Sequence, residues 1–137
     1  MKYLTFGLLI VVSLTILSCE DDNETSPVTE LAGVYEGTFE VTYFIDIGFG
    51  GEDISESVSV SFDGDRFDCT CRGSGTFAIE NGNVNFNDEN IWNADFDGKL
   101  IMSGSYSVQQ ENGQVVITDD SSPHGIYKYT LRKKENE

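Results

Sequence analysis

Positive charge is scarce in this chain. The 137 residues contain 24 Asp and Glu but only 8 Lys and Arg, so the formal net charge is −16. Such a balance repels nucleic acid and anionic membrane surfaces, and no basic cluster in the sequence offsets it. We therefore expect no nucleic-acid partner, and we interpret the acidity as a surface that keeps the protein soluble.

Side chains suited to catalysis are also scarce. His124 is the only histidine, and it lies in a turn-like stretch after Ser122. No spacing marks Ser122 as an activated nucleophile, and nothing in the sequence places Asp119 or Asp120 as the orienting acid of a triad. We expect no enzyme activity and no cofactor.

Metal ligands are equally poorly grouped. Residues 93–98 match the first half of a calcium loop, with oxygen-bearing side chains at positions one, three and five and glycine at six. The twelfth position is Gly104, where a bidentate Glu is required. The polar residues 85–90 offer a weak cation site or a plain polar loop. We expect a turn at 93–98 and no metal.

Helical periodicity is absent, and the long apolar run at residues 6–17 is shorter than the roughly 20 residues that a transmembrane helix needs. The run follows Lys2 and precedes Ser18, which is the layout of a cleaved secretory leader. We predict a signal peptide over 1–18. Its removal leaves 119 residues with a formal charge of −17, enough for one domain.

Ile16, Leu17, Ser18 and Cys19 resemble the lipobox of bacterial lipoproteins. This resemblance implies cleavage before Cys19 and lipid attachment to its thiol and new amino terminus, which anchors the protein to a membrane. The alternative is an ordinary leader with an incidental cysteine.

Residues 20–27 contain four carboxylates, one proline and no aromatic side chain, so they cannot bury enough apolar surface to become ordered. We predict a flexible acidic tether over 19–30. An acidic run directly after a lipidated cysteine also resembles the export signal of Bacteroidetes-type surface lipoproteins. It implies an outer-membrane protein exposed on the cell surface, the alternative being a spacer that faces the periplasm.

Residues 31–134 have a hydrophobic period of two, which is typical of strands with one face on a core. The alternation is clearest at Val58, Val60 and Phe62, which are separated by serines. Similar patterns recur eight times. Their apolar positions include 31–45, 54–62, 67–71, 77–79, 84–86, 100–108, 115–117 and 127–131.

Four Asp-Gly or Asn-Gly pairs separate these runs, at 63–64, 81–82, 97–98 and 112–113. Such pairs tolerate the positive φ values of type I′ hairpin turns. Glycines within strands, including Gly37 and Gly75, allow the sharp coiling that closes a sheet. We predict an all-β, eight-stranded antiparallel up-and-down barrel, because closure removes exposed edges.

Four segments in the second half of the chain, at 92–97, 100–101, 104–106 and 125–131, resemble the closing half of the small lipocalin-like lipoproteins of Bacteroidetes. The resemblance covers roughly the last 60 residues and implies a lipocalin-like fold at the cell envelope. Those proteins are mostly of unassigned activity, so the resemblance implies no catalytic residues.

Cys69 and Cys71 are the thiols that remain once Cys19 carries lipid. Two residues apart in a strand, they point to the same face as Phe67. Buried free thiols, a strained disulfide in an oxidising compartment, and a metal site are all compatible with this spacing.

An eight-stranded barrel encloses either a packed core or a cavity for one small ligand. Bulky aromatic residues favour a mostly filled interior, whereas buried tyrosine hydroxyls need partners that a polar ligand would supply. Trp92 either closes the barrel as core or lines its mouth. Our candidate ligand-binding residues are Tyr35, Tyr43, Phe62, Trp92, Tyr106 and Tyr127.

Two functions follow from this barrel. The first is a monomeric, lipid-anchored protein that binds a small apolar or amphipathic molecule in the interior or at the mouth. The second is a filled barrel that docks a protein or glycan of the envelope, with the glycine-rich loop 47–51 around Phe49 as a candidate contact.

Overall fold

Nine antiparallel strands make up most of the described chain. The computed structural model describes residues 25–44, 53–92 and 100–135. The strands are β1 (Thr25–Pro27), β2 (Gly33–Tyr43), β3 (Ile54–Asp63), β4 (Arg66–Cys69), β5 (Ser74–Glu80), β6 (Asn83–Asp88), β7 (Gly104–Glu111), β8 (Gln114–Asp119) and β9 (Gly125–Lys133). Within these ranges no helix has the length and hydropathy needed to cross a membrane.

Strands β2 to β9 form a closed barrel. Each strand pairs with the next along the chain, and β9 pairs with β2 from Tyr35↔Lys133 to Tyr43↔Gly125. The predicted eight-stranded antiparallel up-and-down barrel is therefore confirmed. Because the barrel is closed, each of its strands has a hydrogen-bonded neighbour on both sides. Among the described residues, no long edge strand is therefore left to pair with another chain.

Three tight hairpins lie at one end of the barrel, which we call the closed end. At two of them Asn81, Gly82, Asn112 and Gly113 all have positive φ, between 50° and 76°. These are the predicted type I′ turns, in which both central residues need positive φ.

The hairpin between β3 and β4 differs from its prediction by one residue. Asp63 pairs with Arg66, so the central residues are Gly64 and Asp65 rather than Asp63 and Gly64. Only Gly64 has positive φ, at 61°, which matches a type II′ turn with glycine in first place.

The N-terminal segment seals the closed end. β1 pairs with β7 from Thr25↔Glu111 to Pro27↔Gln109, and the chain then crosses to the start of β2. Val28 and Leu31 are buried during this crossing and join the core. Three exposed residues are too few to show alternation, so the sequence did not predict β1 inside the 19–30 region. Residues 19–24 lie outside the described part of the chain.

The opposite end, which we call the open end, has longer connections. Two predicted strands are shorter than expected here, because β4 stops at Cys69 and β7 starts only at Gly104. Gly104 has a φ of 99°, and the amide of Met102 donates to the Arg72 carbonyl, 3.1 Å away. Residues 100–103 therefore turn across to the β4–β5 connection instead of extending β7.

Aromatic rings fill the space between the two ends. Phe39 stacks on Tyr129 with 4.5 Å between ring centroids, and Tyr129 contacts Tyr106 at 6.1 Å. Tyr106 continues to Phe86, which also contacts Phe62, Phe67 and Phe77. The inward-facing aromatic residues thus share one interior, as the alternation predicted.

Two glycines permit close approach of neighbouring strands. A Cβ atom at Gly37 would lie 1.9 Å from the Thr130 carbonyl oxygen, and one at Gly75 would lie 2.0 Å from the Asn87 carbonyl oxygen. No side chain fits at such distances, so these glycines allow the coiling that closes the barrel.

Candidate functional site at the open end

The six candidate ligand-binding residues do not form a single pocket. Tyr35 and Phe62 contact each other edge to face inside the barrel, 5.5 Å between centroids. Tyr43 and Tyr127 form a similar pair towards the open end, at 6.5 Å. The other two are Tyr106, which is buried in the interior, and Trp92, which is 39% exposed beyond β6.

The interior portion of this set is packed by protein. Tyr35, Phe62 and Tyr106 are each at most 6% exposed and belong to the aromatic core. A ligand that contacted all three would have to displace neighbouring rings, which protein interiors resist because they are close-packed. The interior contacts therefore favour a core role for these three residues.

One interior hydroxyl lacks a partner. Tyr129 is fully buried, and its hydroxyl oxygen makes no hydrogen bond to the described residues. Burial raises the pKa of this hydroxyl, and nearby Tyr106 raises it further, so Tyr129 stays protonated. A buried donor without an acceptor costs about 1–3 kcal/mol, so the Tyr129 hydroxyl destabilises the core.

Apolar side chains are exposed around the open end. Phe44, which follows β2, is 48% exposed, and Ile91, which precedes Trp92, is 88% exposed. The amide of Phe44 donates to the His124 carbonyl at 3.1 Å, which fixes its backbone beside β9. Because β2 and β6 are four strands apart in the eight-stranded wall, Phe44 lies across the opening from Ile91 and Trp92.

Sequence reasoning missed Phe44 and Ile91. In the alternation of residues 31–45, Phe44 occupies a position that otherwise carries polar, outward-facing side chains. An aromatic residue at such a position was the signal that could have identified it. Ile91 sits in an irregular patch where no period applies. We call Phe44, Ile91 and Trp92 together the apolar rim.

Asp88 holds the rim at Trp92. The indole N–H of Trp92 donates to one carboxylate oxygen of Asp88, and the other oxygen accepts from the Ser74 amide and from Asn90. Partial burial alone would raise the pKa of Asp88, but these hydrogen bonds outweigh it and lower the pKa below its ordinary value. The exposed indole is therefore positioned by an ionised carboxylate rather than free to rotate.

A disulfide and Met102 lie at the β4–β5 connection of the open end. The sulfur atoms of Cys69 and Cys71 are bonded, and both residues are buried. The chain bends after Cys69, so their Cα atoms are 5.1 Å apart, closer than in an extended strand. The carbonyl of the next residue, Arg72, holds the amide of Met102, whose side chain is fully buried.

Two buried polar residues, Asp119 at the end of β8 and Ser122 after it, lie close to His124 in the sequence. Asp119 accepts hydrogen bonds from the amide and hydroxyl of Ser121, at 3.0 and 2.6 Å. Ser122 accepts from the backbone amide of His124, at 3.3 Å, while the His124 side chain is exposed. These bonds order the turn before β9, and none of those described joins the imidazole to Asp119 or Ser122.

Metal ligands are not gathered within the described ranges, where no group of three His, Cys, Asp or Glu side chains is arranged to hold an ion. Asp88 and Asn90, which belong to the polar stretch 85–90, form hydrogen bonds with Trp92 and Ser74.

Several predictions fall outside the described residues. They concern the lipid attachment at Cys19, the loop 47–51 and the calcium-like segment 93–98.

Comparison of the chain with family models, with curated proteins and with solved structures found no match.

Proposed function

We propose that the barrel is a lipid-anchored protein of the outer membrane, displayed on the cell surface, that binds a small apolar or amphipathic molecule at its open end. The observation that carries this proposal is the apolar rim. Large apolar side chains are exposed on both sides of the open end. The mouths of β-barrels are common ligand sites, which supports binding there.

The mouth is a better location for the ligand than the interior. The aromatic core occupies the space deep in the barrel, whereas Tyr43 is only partly buried and packs on Tyr127 just below the rim. Rim and tyrosine pair combine apolar rings with hydroxyl groups, which suits a molecule with an apolar body and one polar group.

The position of the N-terminus agrees with this arrangement. β1 enters the fold at the closed end, so a lipid on Cys19 and the apolar rim would lie at opposite ends of the barrel. Six residue steps separate Cys19 from Thr25, and they span at most about 20 Å. An anchor of this length keeps the closed end near the membrane and turns the mouth away from it.

Fluorescence of Trp92, the single tryptophan, tests ligand binding at the rim. We expect its emission to change in a saturable way when the mature chain is titrated with long-chain fatty acids, retinol or haem. Phe44→Ser or Ile91→Ser should weaken binding by about tenfold, since each removes apolar area from the contact.

Val34→Ser provides the matched control. Val34 is 40% exposed, like the rim residues, but it lies at the start of β2 in the closed end. Its replacement should leave the affinity unchanged. Equal loss of binding in all three variants, or no response of Trp92 to any of these ligands, would contradict the proposal.

The second candidate function is docking of an envelope protein or glycan on the outside of the barrel. A groove of about 560 Å³ runs over β2, β3, β7, β8 and β9, lined among others by Glu40, Thr118 and Lys128. Val116 in the same groove is buried although it faces away from the core, so the wall is concave there.

Native mass spectrometry of the protein purified from its own host separates the two functions. A retained small-molecule mass that is lost in Ile91→Ser supports the ligand carrier. A retained glycan or polypeptide that is lost in Thr118→Tyr, which fills the groove, supports docking and contradicts the carrier.

A further inference from the structure

A basic groove lies at the closed end, away from the apolar rim. It has a volume of about 750 Å³ and is lined by Gly113, Arg132, Lys133, Lys134 and Glu135. Three of the eight Lys and Arg residues of the chain are consecutive here, and all three are exposed. This concentration corrects the expectation that the chain contains no basic cluster.

Two of these cations are not neutralised by the described residues. Lys134 forms an ion pair with Glu36, 2.8 Å from nitrogen to oxygen. Arg132 and Lys133 make no ion pair with any residue in the described ranges, although Glu36 lies opposite Arg132 in the sheet. The protein has three times as many acidic as basic residues. Even so, Arg132 and Lys133 are available to bind an anionic group.

The N-terminal segment starts next to this groove. Thr25 pairs with Glu111, and Gly113 of the groove is two residues further along the same hairpin. The residues immediately before Thr25 carry four carboxylates, at Glu20, Asp21, Asp22 and Glu24. Five extended residues reach about 17 Å, enough to extend from Thr25 across the groove.

We propose that the acidic segment 20–24 docks in the basic groove formed around Arg132 and Lys133. Opposite charges favour the contact. The covalent connection supplies a millimolar effective concentration, so a weak interaction is sufficient to populate it. Docking would hold Cys19 close to the closed end and shorten the spacer between the barrel and whatever Cys19 carries.

Zero-length carbodiimide coupling, followed by peptide mass spectrometry, tests this contact in the mature chain with Cys19→Ser. We expect amide cross-links from carboxylates of 20–24 to Lys133 and Lys134. Their yield should fall about fivefold or more at about 0.5 M salt, because exposed charges are screened at that ionic strength. Lys128, on the outer wall of β9, serves as the internal control and should not couple to the carboxylates of 20–24.

A second measurement does not depend on coupling chemistry. Cleavage after Glu24 by a glutamate-specific protease should become about fivefold faster in Arg132→Gln/Lys133→Gln, because the segment is released. Lys128→Gln should cleave at the parent rate, and circular dichroism should show that all variants keep the barrel. Unchanged cleavage in the double variant, or equal coupling to Lys128, would overturn the proposal.

The competing occupant is an anionic membrane headgroup. If the carboxylates of 20–24 give no cross-links, and phosphatidylglycerol but not phosphatidylcholine vesicles retain the parent chain, the groove binds lipid phosphate. That result, together with loss of retention in Arg132→Gln/Lys133→Gln, overturns the assignment to 20–24. Because the Cys19→Ser chain carries no lipid, none of these results depends on the proposed anchor or on ligand binding at the rim.

Discussion

The two ends of the barrel are built differently. At the closed end, two-residue turns connect adjacent strands and a short crossing buries Val28 and Leu31. At the open end, connections from distant parts of the chain meet, such as Arg72 with Met102 and Phe44 with His124. The hairpins of the closed end are therefore specified by local sequence. The open end, like the pairing of β1 with β7, depends on contacts that form only in the folded protein.

Replacing one buried residue at each end should lower stability at both ends but change ligand binding at only one. The loss of stability is the largest effect that we expect. Leu31→Ala and Met102→Ala should each lower the free energy of unfolding by about 3 kcal/mol, since both remove well-buried side chains. Urea denaturation measures the loss. Only Met102→Ala should also alter ligand binding at the apolar rim.

The result would contradict the comparison if Leu31→Ala changed the affinity as much as Met102→Ala did. Met102→Leu, which keeps most of the volume, is the matched control. It should cost less than about 1.5 kcal/mol and retain binding.

This division explains how much the sequence could predict. Alternation and Asn-Gly turns depend on neighbouring residues, so they predicted the barrel and the hairpins at 81–82 and 112–113. The bend after Cys69 and the late start of β7 accompany the hydrogen bond between Arg72 and Met102, which no local pattern encodes. Alternation identifies only the side chains that face inward, so the candidate ligand residues included core rings such as Phe62. It missed Phe44, which faces outward.

Tyr129→Phe tests the region between the two ends, and the expected effect is smaller. Because the Tyr129 hydroxyl has no hydrogen-bond partner in the described residues, its removal should stabilise the barrel by about 1 kcal/mol. The control is Tyr35→Phe, because Tyr35 as a residue is 6% exposed. This substitution should change stability by less than half as much. A loss of about 1 kcal/mol in Tyr129→Phe would mean that a water or ligand accepts this hydrogen bond, and the interior would then count as part of the binding site.

Acid should loosen the open end before the closed end, and this is the smallest effect that we expect. The pKa of Asp88 is lowered in the folded protein from its ordinary 3.8, so ionised Asp88 stabilises the fold above pH 3.8. That contribution is lost as the pH falls through the lowered pKa of the folded state. Amide hydrogen exchange at Ser74, which donates to Asp88, should then accelerate relative to that at Val108, which donates to Gly82 at the closed end.

Trp92 emission should change with a midpoint below pH 3.8, and this transition should be absent in Asp88→Asn. Simultaneous loss of protection at Ser74 and Val108 would mean that the two ends unfold as one unit, and that Asp88 orders no separate site.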